Sequence, residues 1–279
     1  MNTSPILGYI RYSCWRGYDI NDFFDPEYLD YRLNIFKNIT LKSLQQQTDK
    51  DFNVLILHSP KLPQNYKNIF KELENENPFL HNIYVPDTEL YEQDYIDGPA
   101  GSINFIQFCN DISINFRIDN DDALPCDFIS KLKLFLKPEF SGYFISIPQV
   151  SIIQRTHKDK FLKQEKYYPS NSMGLAFVTD KNTYKTLMSL GDHGKINQNF
   201  PVILLPGRGG IQTINGKNVM NSLYFGFIPA FNSASLSEFL KNNNYADFNF
   251  NCLNVKKRRL LLDIIIRTIN FIKRYFQGK

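Results

Sequence analysis

Cysteine is scarce in this 279-residue chain. The four thiols, Cys14, Cys109, Cys126 and Cys252, are scattered and form no CxxC pair. Such spacing supplies neither a zinc site nor a disulfide framework, so reduced thiols in a cytoplasmic protein are expected. Glycine and proline number only 14 each, which excludes a collagen-like or Gly/Pro low-complexity chain. No apolar run reaches the roughly 18 residues that a membrane span needs. The start, MNTSPILGYIRYS, lacks the basic region and long apolar core of a secretory signal, so no leader is expected. Charge of one sign is lacking too. The 32 basic and 28 acidic residues leave +4, short of the concentrated basic field of a nucleic-acid binder, and no nucleic-acid partner is expected.

What is present is enough apolar residue for a core. Hydrophobic residues make up 43% of the chain and aromatics 15%, a composition that a disordered chain does not have. The first third alternates short apolar runs with helical periodicity. Strands are expected at Ile6–Ser13, Asn53–His58, Asn82–Val85 and Ile114–Ile118. Helices are expected at Tyr28–Gln47, Pro63–Glu74 and Ser102–Asn110. This alternation predicts an α/β fold, Rossmann-like, with a mostly parallel central sheet flanked by helices. The loops after Ser13, His58, Val85 and Ile118 then share the carboxyl edge of that sheet, where open α/β sheets bind ligands.

The second half is less regular. Cys126–Leu136 is expected to be helical, and Gly142–Pro148 and Val150–Arg155 to be strands split at Pro148. Lys158–Ser172 reads as a polar loop, Gly174–Thr179 as a strand and Lys181–Leu190 as a helix. Gly191–Pro201 and Pro206–Gly216 read as loops.

The segment Phe116-Arg117-Ile118-Asp119-Asn120-Asp121-Asp122-Ala123-Leu124 carries three carboxylates within four residues, at the expected end of a buried strand. Like charges this close need a cation or hydrogen-bond donors to offset them. Hard oxygen ligands suit Mg²⁺, Mn²⁺ or Ca²⁺. An EF-hand is excluded, because Ala123 and Leu124 stand where that loop needs an oxygen ligand and glycine. Two readings stand at this point: a metal site, or an acidic turn in which Asp122 or Asp127 caps the next helix.

Five ordered segments resemble the bacterial "putative rhamnosyltransferase" family, within the nucleotide-sugar glycosyltransferases of the A-type fold. They are Tyr9-Ile10-Arg11-Tyr12-Ser13; Arg32-Leu33-x-x-Phe36 with Thr40-Leu41-x-Ser43-Leu44-x-x-Gln47-Thr48; Phe52–His58 with Leu62-Pro63; the acidic segment, as a DxD-type motif; and Ile211-Gln212-Thr213-Ile214-Asn215-Gly216-Lys217-Asn218. The resemblance runs over roughly residues 6–221. It departs from the family pattern at Asn215, where the family usually has His, and at Gly210, where it usually has Trp.

The resemblance implies transfer of a sugar from a nucleotide-diphosphate donor to a saccharide or lipid-linked saccharide acceptor, in surface polysaccharide or lipopolysaccharide synthesis. It implies a divalent cofactor, Mn²⁺ or Mg²⁺, on Asp121 and Asp119, with Asp119 otherwise on the donor ribose. Asp122 would hold a metal-bound water or cap the following helix. Donor contacts are implied for Arg11 and Ser13 at the end of the first strand, and for Arg117 beside the carboxylates. Arg11 equally suits a salt bridge, and for Arg117 a structural ion pair is the preferred reading. Gly101 and Ser102 precede a helix whose amides would face phosphate, or else form an ordinary turn and cap. The implied base is Asp192, with His193 second or instead a late metal ligand; a plain Asp/His turn between glycines is the remaining reading. His58, His81 and His157 lack ligand-like spacing and read as structural or solvated.

The chain is thus expected to hold one catalytic domain over residues 1–255, with a nucleotide half (1–124) and an acceptor half (125–255). Residues 256–279 follow as a basic, apolar helix. It opens on Lys256-Lys257-Arg258-Arg259 and either packs on the domain or lies in a membrane interface at the inner face of the cell membrane. Two rival functions remain from the sequence: a metal-dependent phosphoryl or nucleotidyl transferase, and a non-catalytic carbohydrate-binding protein.

Overall fold

The computed structural model describes residues 4–13, 24–84, 111–157, 160–169, 171–181, 187, 190, 196–214 and 230–254. Several expectations lie outside them: the helices at 102–110 and 256–279, most of the helix at 181–190, and Gly101, Ser102, Asp192, His193, Asn215, Cys14 and Cys109. The His157 side chain also lies outside.

Seven strands build the central sheet: β1 (Ile6–Arg11), β2 (Asn53–His58), β3 (Leu80–Tyr84), β4 (Ile112–Arg117), β5 (Phe144–Ser146), β8 (Ala176–Asp180) and β9 (Val202–Leu204). Their order is β3-β2-β1-β4-β8-β5-β9. β1 pairs in parallel with β2 and β4, β2 with β3, and β5 with β9, while β8 runs antiparallel between β4 and β5. The expected mostly parallel α/β sheet is therefore present, with one reversed strand. Residues from before and after position 124 share it.

Burial on both faces explains the continuous apolar runs. Along β1, Ile6 and Ile10 join one cluster with Val54, Ile56, Phe116 and Phe128, while Leu7 and Tyr9 join another with Leu55, Leu57, Phe144 and Phe177. Two long helical segments pack on the first cluster. One is α1 (Pro26–Ile35), which continues through a π-helical turn at Phe36–Thr40 into α2 (Leu41–Gln45). The other is α3 (Gln64–Glu76), which buries Tyr66, Phe70 and Leu73. Asp25 caps α1 by accepting the Tyr28 N–H, and Pro26 takes the first turn, where its missing N–H costs nothing.

Gln47, just past α2, is buried and fixes this helix to the chain following the acidic segment. Its amide nitrogen donates to the Ser43 and Pro125 carbonyls, and its amide oxygen accepts the Ile129 N–H at 3.1 Å. Ile129 belongs to α4 (Phe128–Lys133), shorter than the helix expected over Cys126–Leu136.

A second sheet contains β6 (Gln149–His157), β7 (Lys160–Tyr167), β10 (Arg208–Ile214) and β11 (Ala230–Asn232), in the order β10-β6-β7-β11. The chain changes sheets between β5 and β6, across Ile147 and Pro148. Two expectations are corrected here. Lys160–Tyr167, within the expected loop 158–172, is a strand, because β7 pairs antiparallel with β6 along most of its length. Arg208–Ile214, within the expected loop 206–216, is a strand as well, since β10 pairs in parallel with β6. One face of this sheet packs on α6 (Ser233–Asn242) through Ile153, Phe161, Ile211, Leu236, Phe239 and Leu240. A short helical turn, α5 (Ile196–Asn199), lies within the expected loop 191–201. Among the described residues, no helix is long and apolar enough to cross a membrane.

Candidate active site

The parallel register of β1, β2 and β4 brings their carboxyl ends together, and backbone bonds lace these ends. Tyr12 N–H donates to the Leu57 carbonyl at 3.0 Å, and Ile118 N–H donates to the Tyr9 carbonyl at 3.1 Å. Ser13 is buried, and its hydroxyl oxygen accepts the Ser59 N–H at 3.1 Å, so it ties β1 to β2. Arg11 ends β1 half-buried, paired in register with Leu57.

From β4 the chain runs directly into the acidic segment. Arg117 and Asp119 form an ion pair at 3.1 Å, and the second Asp119 oxygen accepts the Ser172 hydroxyl at 3.3 Å. Asp119 is the most open of the three acids, with its side chain 29% exposed, whereas Asp121 and Asp122 are buried. Arg117 is thus held in an ion pair that orients Asp119.

The next residues join the edge strand of the second sheet. Ala123 and Ile211 exchange both backbone hydrogen bonds, at 3.0 and 2.8 Å, as an isolated antiparallel bridge. Asp122 Oδ1 accepts the Thr213 N–H at 3.0 Å, and the Thr213 hydroxyl donates to the Asp121 carbonyl at 2.6 Å. Two motifs nearly ninety residues apart in the sequence are therefore one structure. The Asp122 side chain is turned to β10 and caps no helix. Asp127 stands at the α4 N-terminus but makes no side-chain capping bond there.

Two glycines make this close packing possible. A Cβ at Gly210 would stand 2.5 Å from the Met173 Cβ and 3.0 Å from the Ala123 carbonyl oxygen. That approach leaves no room for a Cβ at position 210 in this chain. Gly174 has φ +81°, the left-handed region that glycine enters freely, and a Cβ there would meet Phe128 and Leu124. Its N–H donates to the Arg117 carbonyl at 2.9 Å, closing the site from the side of residues 171–175.

Burial pushes the Asp122 carboxyl well above the ordinary carboxylate range, and the neighbouring Asp121 and Asp119 charges push it further. The Thr213 N–H and Arg117 pull the other way. Arg32, from α1, is a site residue whose role is not visible in the sequence. It is buried, its guanidinium donates to Tyr28 Oη at 2.9 Å and to Asn120 Oδ1, and it lies in the field of Asp121.

The donor set is all oxygen, which suits a hard divalent cation. Among the described residues, no three His, Cys, Asp or Glu side chains converge as a self-sufficient cage. A cation held here would draw its remaining ligands from a substrate, the ordinary arrangement for Mg²⁺ bound by one or two carboxylates plus phosphates. The expected structural histidines behave as such: His58 bonds Asn82 at 3.0 Å and His81 bonds Asn53 at 3.1 Å.

A family model described as "Putative rhamnosyl transferase" matches residues 19–224. No curated protein matches the chain. Among solved structures, residues 1–349 of S. aureus TarS are 11% identical, with a TM-score of 0.30; the match covers 55% of this chain and 35% of that one. The same figures hold for that protein in complex with UDP. The inositol-1-phosphate CTP transferase of T. maritima is 10% identical over 79% of this chain and 93% of that one, with a TM-score of 0.36. The match spans only about a third of the TarS segment.

Proposed function

The chain belongs to the "Putative rhamnosyl transferase" family, whose model spans residues 19–224, and is thus a glycosyltransferase; on that premise we propose that it moves a sugar from a nucleotide-diphosphate donor onto a saccharide acceptor in bacterial surface polysaccharide or lipopolysaccharide synthesis. The observation that carries this reading is the joining of the acidic segment to β10 through Ala123, Ile211, Asp122 and Thr213. That lacing fixes Asp119 and Asp121 at the carboxyl edge of the sheet, where an α/β fold receives its ligand.

Asp119 and Asp121 would hold Mn²⁺ or Mg²⁺ together with the donor diphosphate. When bound, such a cation offsets the negative charge that develops on the leaving diphosphate. Arg117 orients Asp119 through their ion pair, and Thr213 fixes the backbone on which Asp121 sits. Asp122 serves the framework through its bond to Thr213. Asp192 is the proposed base that takes the acceptor hydroxyl proton, with His193 second; both lie outside the described residues. Arg11 and Ser13 are the proposed contacts at the nucleotide end. The acceptor is saccharide or lipid-linked saccharide, with the segment from Lys256 onward as the proposed contact with the inner membrane face.

A screen of nucleotide sugars with Mn²⁺ or Mg²⁺, read by thermal stabilisation, tests the reading. A donor at about 100 times its dissociation constant adds about 2.7 kcal/mol of stability. The expected result is metal-dependent stabilisation by one nucleotide class, lost in Asp119→Ala and Asp121→Ala, with labelled sugar appearing on an acceptor. Transfer of phosphate or nucleotide without sugar would overturn it, as would indifference to every nucleotide.

A further inference from the structure

Arg32 is a long, permanently charged side chain placed where charge is expensive. It is only 7% exposed, in the wall between α1 and the acidic segment. Removing a guanidinium from water is strongly unfavourable unless its donors and its charge are met. Here its two terminal amino groups are met: on its own helix Nη1 donates to Tyr28 Oη at 2.9 Å, and the guanidinium lies 5.5 Å from the Tyr28 ring centre. On the other side Nη2 donates to Asn120 Oδ1, across 88 residues of sequence. Asn120 in turn reaches the Tyr12 carbonyl at the end of β1 with its amide nitrogen, at 3.5 Å. Asn120 lies between Asp119 and Asp121. Burial works against the charge on Arg32, yet the Asp121 carboxylate, helped by Tyr28 and Tyr12, more than compensates.

The acidic segment is therefore held from two directions. β10 holds it by the backbone at Asp121 and Ala123 and by the Asp122 carboxylate. Arg32 holds it through the Asn120 side chain and the field at Asp121. We propose that Arg32 is a positioning residue of this site, reaching from the first helix to set Asn120 and the Asp121 carboxylate in the arrangement that a donor diphosphate and its cation require. The inference rests on the sugar-transfer reading of the site. A planar fork suits the task better than a point charge, because it spends one amino group on Tyr28 and another on Asn120 while its charge stays in the field of Asp121.

The test is a double-mutant cycle of Arg32→Met and Asp121→Asn, with Arg32→Lys as a second variant. Two quantities are read: sugar transfer from the donor that the nucleotide-sugar screen selects, and binding of Mn²⁺ in the presence of that donor, followed by the electron paramagnetic resonance signal of the metal. Arg32→Met should lower kcat by about 100-fold or more with a smaller change in donor KM, and weaken Mn²⁺ binding about tenfold. Arg32→Lys should recover part of kcat. Adding Arg32→Met to Asp121→Asn should cost no more than about a further twofold, because the group being positioned is already altered. A purely structural arginine would instead give independent, multiplying losses, and that result overturns the proposal. So does a folded Arg32→Met or Arg32→Lys chain with parental kcat and Mn²⁺ affinity. If Arg32→Met does not fold, Arg32→Lys carries the same cycle with the same criterion. A parent chain that binds no Mn²⁺ and transfers no sugar overturns the site reading and this proposal together, whereas an active parent with indifferent Arg32 variants overturns this proposal alone.

Discussion

Thr213 and Asp122 are joined across the gap between the acidic segment and β10: the Thr213 N–H donates to Asp122 Oδ1 at 3.0 Å, beside the Thr213 hydroxyl that donates to the Asp121 carbonyl at 2.6 Å. Thr213→Val keeps the first bond and removes the second. Leaving a buried carbonyl without its donor costs about 1–3 kcal/mol. Urea unfolding should show that loss, and sugar transfer should fall with it, because Asp121 is carried on the released peptide. Unchanged stability and unchanged transfer would mean that the hydroxyl bond is idle.

Gly210 offers the complementary experiment by addition. The Cβ of Gly210→Ala would stand 2.5 Å from Met173 and 3.0 Å from the Ala123 carbonyl, so the bridge to Ile211 must shift. Overpacking of this kind costs about 1–3 kcal/mol. The expected outcome is a lower melting temperature and a larger fractional loss of transfer than of stability. A variant as stable and active as the parent would show that β10 moves freely at this point.

Gln47→Leu removes the amide that serves Ser43, Pro125 and Ile129. Two of its partners then lie buried without their bond. The predicted loss is about 2 kcal/mol or more, read as a drop in the denaturation midpoint with the slope unchanged.

His58 is fully buried, and burial pushes it down to about 4 against the raising effect of its Asn82 bond. Below pH 6.5 the unfolded chain takes up a proton that folded His58 refuses until about pH 4. Its contribution to stability is therefore complete above pH 6.5 and is lost as pH falls through that window, by about 1.4 kcal/mol per unit. Asp122 acts in the opposite sense: its raised carboxyl favours the folded chain at low pH, and that benefit fades as pH rises above 3.8. The difference between the parent and His58→Gln isolates the histidine. It should vary across pH 4 to 6.5 and be flat above; a flat difference throughout would show His58 protonating freely.

The sequence reveals what is buried on both sides. Asn53–His58 is a strand in both the expectation and the structure, because all six of its residues are buried and the apolar run admits no other reading. β7 was hidden by charge. Its alternating positions Lys163 and Glu165 face the second sheet's packed side, where Glu165 bonds Lys163 at 2.6 Å and Ser151 at 3.0 Å and pairs with Arg208, and Lys163 lies 3.9 Å from the Phe239 ring centre. A half-buried ion cluster erases the apolar alternation that marks a strand. β10 was hidden by Gly209 and Gly210, which signal a loop in sequence but here let backbones touch. The acidic segment and the late motif were both legible, whereas their union was not. Arg32 was visible only as part of a motif, since its partner Asn120 is fixed by the fold and not by local spacing.

The π-helical turn at Phe36–Thr40 separates the two grips that the first long helix has on the site: Arg32 before it, on Asn120, and Gln47 after it, on Pro125 and Ile129. A π turn accommodates one more residue than a regular turn, and one residue of helix is about 100° of rotation. Deleting a single residue there would leave a regular helix whose halves are out of phase, so that only one grip at a time meets its partner. The length of this short turn is thus a timing element of the fold, and this stretch should tolerate exchange of side chains far better than any change in their number.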